Sequence, residues 1–163
     1  MSAKDLLQFR FMSTGVSLYA DRETGQVYAT ANEMVDAYLA RYASRSSISI
    51  AKLDDLGYSQ FRKGSATIGI NVLADEGVLL VLSPVLAVPK AKREALYRKL
   101  LEASFISTSD AAFAIDQQKE EVYVRALRRL SGLDYEELVD LVATVAEVSD
   151  EWDDRLKAEF GAA

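Results

Sequence analysis

The strongest constraint on the fold of this 163-residue sequence lies in "GLDYEELVDLVATVAEVSDEWDDRLKA", residues 132–158. Asp134 stands where an N-cap belongs, Glu137 completes a capping-box variant three residues later, and Leu133 and Leu138 are spaced as a hydrophobic staple. Leu138, Leu141, Val142, Val145, Val148, Trp152 and Leu156 then recur along one stripe. A helix from Tyr135 to about Ala158 spans roughly 35 Å, long enough to cross a whole small sheet. The remaining chain must therefore supply a broad apolar surface for it to lie on.

Period-two segments upstream supply that surface. Ile68, Ile70 and Val72 alternate with Thr67, Gly69 and Asn71, "ADEG" supplies a turn, and Val78 to Leu82 return as a second strand that Ser83 and Pro84 bend or mark as an edge. A second hairpin sets Ala111, Phe113 and Ile115 beside Val122, Val124 and Ala126, with "QQK" as a turn that lacks glycine. Between the hairpins, "KAKREALYRKLLEASF" reads as a helix with Pro89 in its first turn and Leu96, Tyr97, Leu100 and Leu101 on its apolar face. Upstream, Thr30 and Glu33 open a helix over 31–43, "SRSSIS" breaks the pattern, and "ISIAKLDDL" predicts a shorter helix ending at Gly57. At the start, "LLQFRFM" and "VSLYA" suggest strands, and "DRETG" with "QVYAT" a loose hairpin turned by Gly25. The division expected is an N-terminal arm over 1–45 and an α/β (α+β) domain over 46–163.

Composition excludes much chemistry. The chain has no cysteine and no histidine, hence no disulfide, no thiolate nucleophile and neither of the commonest soft metal ligands. Carboxylate, lysine or tyrosine chemistry remains as one functional class. The apolar run in "EGVLLVLSPVLAVPK" is about half of the roughly 20 residues that a membrane helix needs, and Pro84 interrupts it. "MSAKDLLQFRF" lacks the apolar core of a signal peptide, so the expected location is the cytoplasm. A formal charge of −6 disfavours general affinity for phosphate backbones and places protein partners first.

Charged clusters have mostly bland readings. Asp150, Glu151, Asp153 and Asp154 diverge around a helix and read as a solvated face rather than a cation site. Lys90, Lys92, Arg93, Arg98 and Lys99, with Arg125, Arg128 and Arg129, keep open a second class, a small regulator of nucleic-acid transactions acting through a basic patch or a nucleic-acid-binding partner. Interleaved Glu94, Glu102, Glu120 and Glu121 dilute that patch.

The segments "LYRKLLEASF" and "AAFAIDQQKEEVYVRALRRLSGLDYEELVDLVATVAEVSDEW" resemble the type III secretion chaperone family, which includes the Tir chaperone, and equally its YbjN-type relatives. The likeness covers about residues 48 to 158 and lies in the order and spacing of soft apolar motifs. The sequence departs from the family in the hairpin "DQQK", where glycine is usual, and in the residues preceding 46, which favour the YbjN-type branch. The resemblance implies an antiparallel sheet packed against helices in the order α-β-β-(β)-α-β-β-α. It further implies a non-catalytic homodimer that binds a partner polypeptide without cofactor or metal, and no membrane or direct nucleic-acid contact. Ile68, Ile70, Val72, Leu79 and Val81 are then candidates for partner binding, the alternative being plain core. Leu96, Leu100, Phe105, Phe113 and Ile115 are the candidates for the dimer interface that the resemblance implies.

Overall fold

The computed structural model describes residues 19–161, apart from the side chain of Ile106. In chain order its elements are α1 (Ala31–Ser46), β1 (Tyr58–Lys63), β2 (Ala66–Leu73), β3 (Val78–Ala87), α2 (Arg93–Ile106), β4 (Ala112–Asp116), β5 (Glu121–Arg129) and α3 (Tyr135–Phe160). The strands form one antiparallel sheet ordered β1-β2-β3-β5-β4. The mixed α/β fold with an antiparallel sheet is present as read from the sequence; β1 is additional to the two strands expected before α2 and precedes them, and the helix that leads the order is α1, not "ISIAKLDDL".

α3 begins as its sequence requires. Asp134 Oδ1 accepts the Glu137 N–H at 2.9 Å and Glu137 Oε2 accepts the Asp134 N–H at 3.1 Å. An N-cap of this kind stabilises a helix by about 1 kcal/mol. At 26 residues the helix is about 39 Å long, and it crosses β2, β3 and β5. Leu138, Val142, Val145 and Leu156 meet Ile68, Ile70, Leu79, Val81, Val122 and Val124, all fully buried. Each such side chain contributes about 1.5–3 kcal/mol of transfer free energy.

α1 and α2 add their stripes to the same core. Thr30 Oγ1 caps α1 by accepting the Glu33 N–H at 3.2 Å, and Met34, Val35, Tyr38, Leu39 and Tyr42 turn inward. Tyr42 lies 5.8 Å from Phe61 of β1, so residues 31–45 help cover the sheet. Leu96 and Leu100 of α2 enter from the β4 side. No helix among the described residues is long and apolar enough to cross a membrane.

Several local expectations are corrected. "ISIAKLDDL" is not helical, because Asp54 Oδ1 accepts the N–H groups of Leu56 and Tyr58 at 2.9 and 2.8 Å and makes a turn instead. Gly57 does take positive φ, 76°, but as the entry to β1: a Cβ there would lie 2.7 Å from the Val72 carbonyl oxygen. β3 runs on through Pro84 to Ala87 and is the central strand, not an edge; the proline sits at a register shift before Leu86, where a missing N–H is tolerated. α2 starts at Arg93 rather than in the turn of Pro89, after Lys92 in a left-handed conformation. α1 extends to Ser46. Among the described residues the N-terminal hairpin is reduced to the bridge Ala20–Val27, while "LLQFRFM" and residues 16–18 of "VSLYA" lie outside the described residues.

Two polar contacts tie these layers together. Ser83 of β3 and Ser149 of α3 share a hydrogen bond of 2.8 Å in the core. Ser149→Ala strands the Ser83 hydroxyl and is expected to lower stability by about 1–3 kcal/mol in urea unfolding, whereas Ser83→Ala/Ser149→Ala recovers much of that loss. An additive double variant would show that the hydroxyls do not depend on each other.

Asp21, buried in the turn before α1, accepts the N–H groups of Glu23 and Thr24 at 2.8 and 3.1 Å and lies 3.7 Å from Arg41. Burial pushes its carboxyl up, but the Thr24 and Glu23 bonds and the Arg41 charge together hold it below the usual range. A depressed folded-state value means that the charged form stabilises the fold above the unfolded value of about 3.9 and that this is lost as pH falls through the folded value. Asp21→Asn is therefore expected to lower stability at pH 7 and to flatten its loss below about pH 4, as measured by urea unfolding at the two pH values.

Candidate functional site

Strand pairing sorts every residue of the sheet onto one of two faces, because directly opposed residues point the same way. One face, through Phe61, Ile68, Ile70, Leu79, Val81, Val122 and Val124, is consumed by the helices. The other begins with Tyr58 opposite Asn71 and Gln60 opposite Gly69 on β1 and β2. It continues with Leu80 opposite Leu127, Leu82 opposite Arg125, and Pro84 opposite Tyr123, and ends with Ala112 and Ala114 on β4. A concavity of about 480 Å³ lies on this second face, lined from all five strands and closed at one end by Lys119 of the β4–β5 turn. No helix residue lines it.

The shape of this concavity has a local cause. Gly69 carries no side chain, and a Cβ there would stand 3.2 Å from Tyr58 Oη and 3.3 Å from Leu82 Cγ. The Tyr58 ring thus lies close over the β2 backbone, with its hydroxyl donating to Gln60 Oε1 at 3.1 Å. At the far end Tyr123 donates to Glu121 Oε2 at 2.6 Å; burial, then this bond, pushes its phenol well above the ordinary tyrosine value. Tyr123 is therefore a neutral hydroxyl on a mostly apolar surface. The site presents aromatic and aliphatic side chains, the amides of Gln60 and Asn71, the Thr67 hydroxyl, and the charged groups of Asp116, Lys119 and Arg125.

The five partner-binding candidates are on the other side. Ile68, Ile70, Leu79 and Val81 are 0% exposed and Val72 is 4% exposed, so the strands were found but the pleat turns these side chains into the core. The open positions are their alternates, chiefly Leu80 and Leu82. The same correction applies to two of the interface candidates: Leu96 and Leu100 face the core, whereas Leu101 and Phe105 of α2 stand 75% and 89% exposed. Phe113 packs edge-on against Trp152 at 5.6 Å, and Ile115 is partly open. Leu101, one residue from a predicted position, was legible as part of the helix's apolar face.

The acidic cluster is engaged along α3, whereas Lys90 and Lys92 of the basic set line a concavity with Lys157 and Glu159. Glu151 pairs with Arg155 and Asp153 with Lys157 along α3, while Asp150 bonds the Ser65 hydroxyl. In the basic set, Arg93 pairs with Glu120, Arg98 with Glu102, Lys99 with Glu159 and Arg128 with Asp110. Four of the eight basic residues are thus neutralised by carboxylates on the protein itself, which dilutes the patch as a phosphate-binding surface.

Comparison with known proteins agrees with this architecture. A chain of the ExsC–ExsE complex superposes with a TM-score of 0.64 at 19% identity, covering 77% of this chain and 95% of that one. A chain of the ExoU–SpcU complex from the type III secretion system of Pseudomonas aeruginosa gives 0.56 at 18% identity, over 74% and 95%. YbjN from E. coli gives 0.57 at 14% identity, over 76% and 93%. These likenesses concern the fold. No curated protein matches the chain in sequence. The sequence model of the Tir chaperone protein (CesT) family matches residues 39–153, from within α1 through most of α3, and the chain accordingly belongs to that family of chaperones.

Proposed function

We propose that this protein is a non-catalytic, homodimeric adaptor of chaperone type that holds a segment of a partner polypeptide on the open face of its sheet, in the YbjN-type manner rather than as a dedicated secretion chaperone. The observation that carries the reading is that face itself: a concave, largely apolar surface spanning all five strands with each helix among the described residues on the opposite side. Family membership supports the same reading, as does the occurrence of this fold in the ExsC–ExsE and ExoU–SpcU complexes, where it is found together with a second protein. Dimerisation is assigned to the outward stripe of α2, where Leu101 and Phe105 lie four residues apart and exposed. Exposed large apolar side chains at helical spacing are the usual mark of a second surface packed against them.

Both parts are tested with purified protein. Light scattering is expected to give a dimer mass for the unaltered chain and a monomer mass for Leu101→Asp/Phe105→Asp, with little change in Tm because neither residue is in the core. For partner binding, a polypeptide retained from host lysate is identified by mass spectrometry and reconstituted from purified components. Leu82→Asp is then expected to weaken that complex by tenfold or more, about 1.4 kcal/mol, at unchanged Tm. Equal affinity in the two proteins would remove the open face as the binding surface. A monomeric unaltered chain that retains only nucleic acid, with steep salt dependence, would overturn the adaptor reading altogether.

A further inference from the structure

The open face carries one charge that its own fold leaves unanswered. Arg125 of β5 sits in the middle of that face, opposite Leu82 on one side and Ala112 on the other, with Tyr123 and Leu127 two residues away along its strand. It is half-buried and lines the concavity. Among the described residues it makes no hydrogen bond, ion pair or ring contact, in contrast to Arg93, Arg98 and Arg128. The nearby carboxylates are engaged elsewhere: Asp116 Oδ1 accepts the N–H groups of Gln118 and Lys119, and Glu121 accepts the Tyr123 hydroxyl. A partly desolvated guanidinium in a bed of leucine, alanine and tyrosine lacks a counter-charge, and such a group is satisfied best by a bidentate carboxylate.

Resting on the reading of this face as the partner surface, we infer that Arg125 selects the partner's chemistry: an extended segment that presents an Asp or Glu side chain to Arg125 between apolar side chains at two residues on either side. The spacing follows from the pleat, in which side chains two apart on a bound strand point the same way. The flanking apolar residues then lie over Leu80 and Leu82 on one side and over Ala112, Ala114 and Tyr123 on the other. Apolar burial supplies affinity, and the buried charge pair supplies discrimination against neutral or basic segments.

The test uses the full chain and fluorescein-labelled synthetic peptides, in which leucines flank a central Glu, Gln, Lys or phosphoserine at two residues on either side. A further peptide carries the chain's own sequence 3–11, "AKDLLQFRF", in which Asp5 precedes Leu7 and Phe9 at the same spacing. Anisotropy is expected to show the Glu peptide binding roughly tenfold more tightly than the Gln peptide, and Arg125→Met erasing that preference. Arg125→Met should also keep or raise Tm, because it removes an unpaired half-buried charge; a clear fall in Tm together with an intact Glu preference would mark Arg125 as structural and overturn the inference. If Gln and Glu peptides bind equally and Leu82→Asp abolishes both, the open face stands as the partner surface and the role of Arg125 falls. Binding of no peptide at all removes both. A preference for phosphoserine, or binding confined to the 3–11 sequence, would replace the acidic partner by a phosphorylated one or by the chain's own segment.

Discussion

Everything in this molecule depends on α3 lying across one face of the sheet. Its capping box sets where it starts, and its unbroken stripe from Leu138 to Leu156 sets how far it reaches. Once that stripe is buried against Ile68, Ile70, Leu79, Val81, Val122 and Val124, α1 and α2 have no choice of side: their own apolar residues complete the same core. The pleat then leaves the alternate residues of all five strands facing outward, with no helix among the described residues to cover them. The open face is thus a consequence of how the core is filled.

That asymmetry explains how a chain without histidine or cysteine can have a function. On the proposed reading its means of recognition is surface: Leu80, Leu82, Pro84, Tyr58 and Tyr123 supply area, Gly69 supplies depth, and Arg125 supplies sign. The rest of the charge is spent locally, in helix pairs such as Arg98 with Glu102 and in turns such as that of Asp54. Membership of the Tir chaperone family fits such a protein, whose work is holding rather than converting.

Much of the fold was legible because its determinants are local. The cap of α3, the cap of α1 at Thr30, the alternation of β2 and the β4–β5 hairpin all follow from residues within a few positions of one another. The failures had physical reasons as well. Asp54 competes with a helix by binding backbone N–H groups, which the apolar pattern of "ISIAKLDDL" does not reveal. β1, "YSQFRK", has just one large inward residue, Phe61, and its pairing with β2 defines it more than its composition does.

The candidate site divides along the same line. The sequence by itself determined the cores of strands β2 to β5, which of their side chains share a face, and that neither thiol nor imidazole chemistry is available. It could not say which of the two faces α3 would cover, because alternation is symmetric until a third element breaks it. Packing decided this, turning Ile70 and Val81 inward and Leu82 outward. Tertiary structure alone also brought Arg125 between Leu82 and Ala112, residues far apart in the chain, and left its guanidinium without an ion-pair partner among the described residues, Asp116 Oδ1 being bound by the turn after β4 and Glu121 by the Tyr123 hydroxyl.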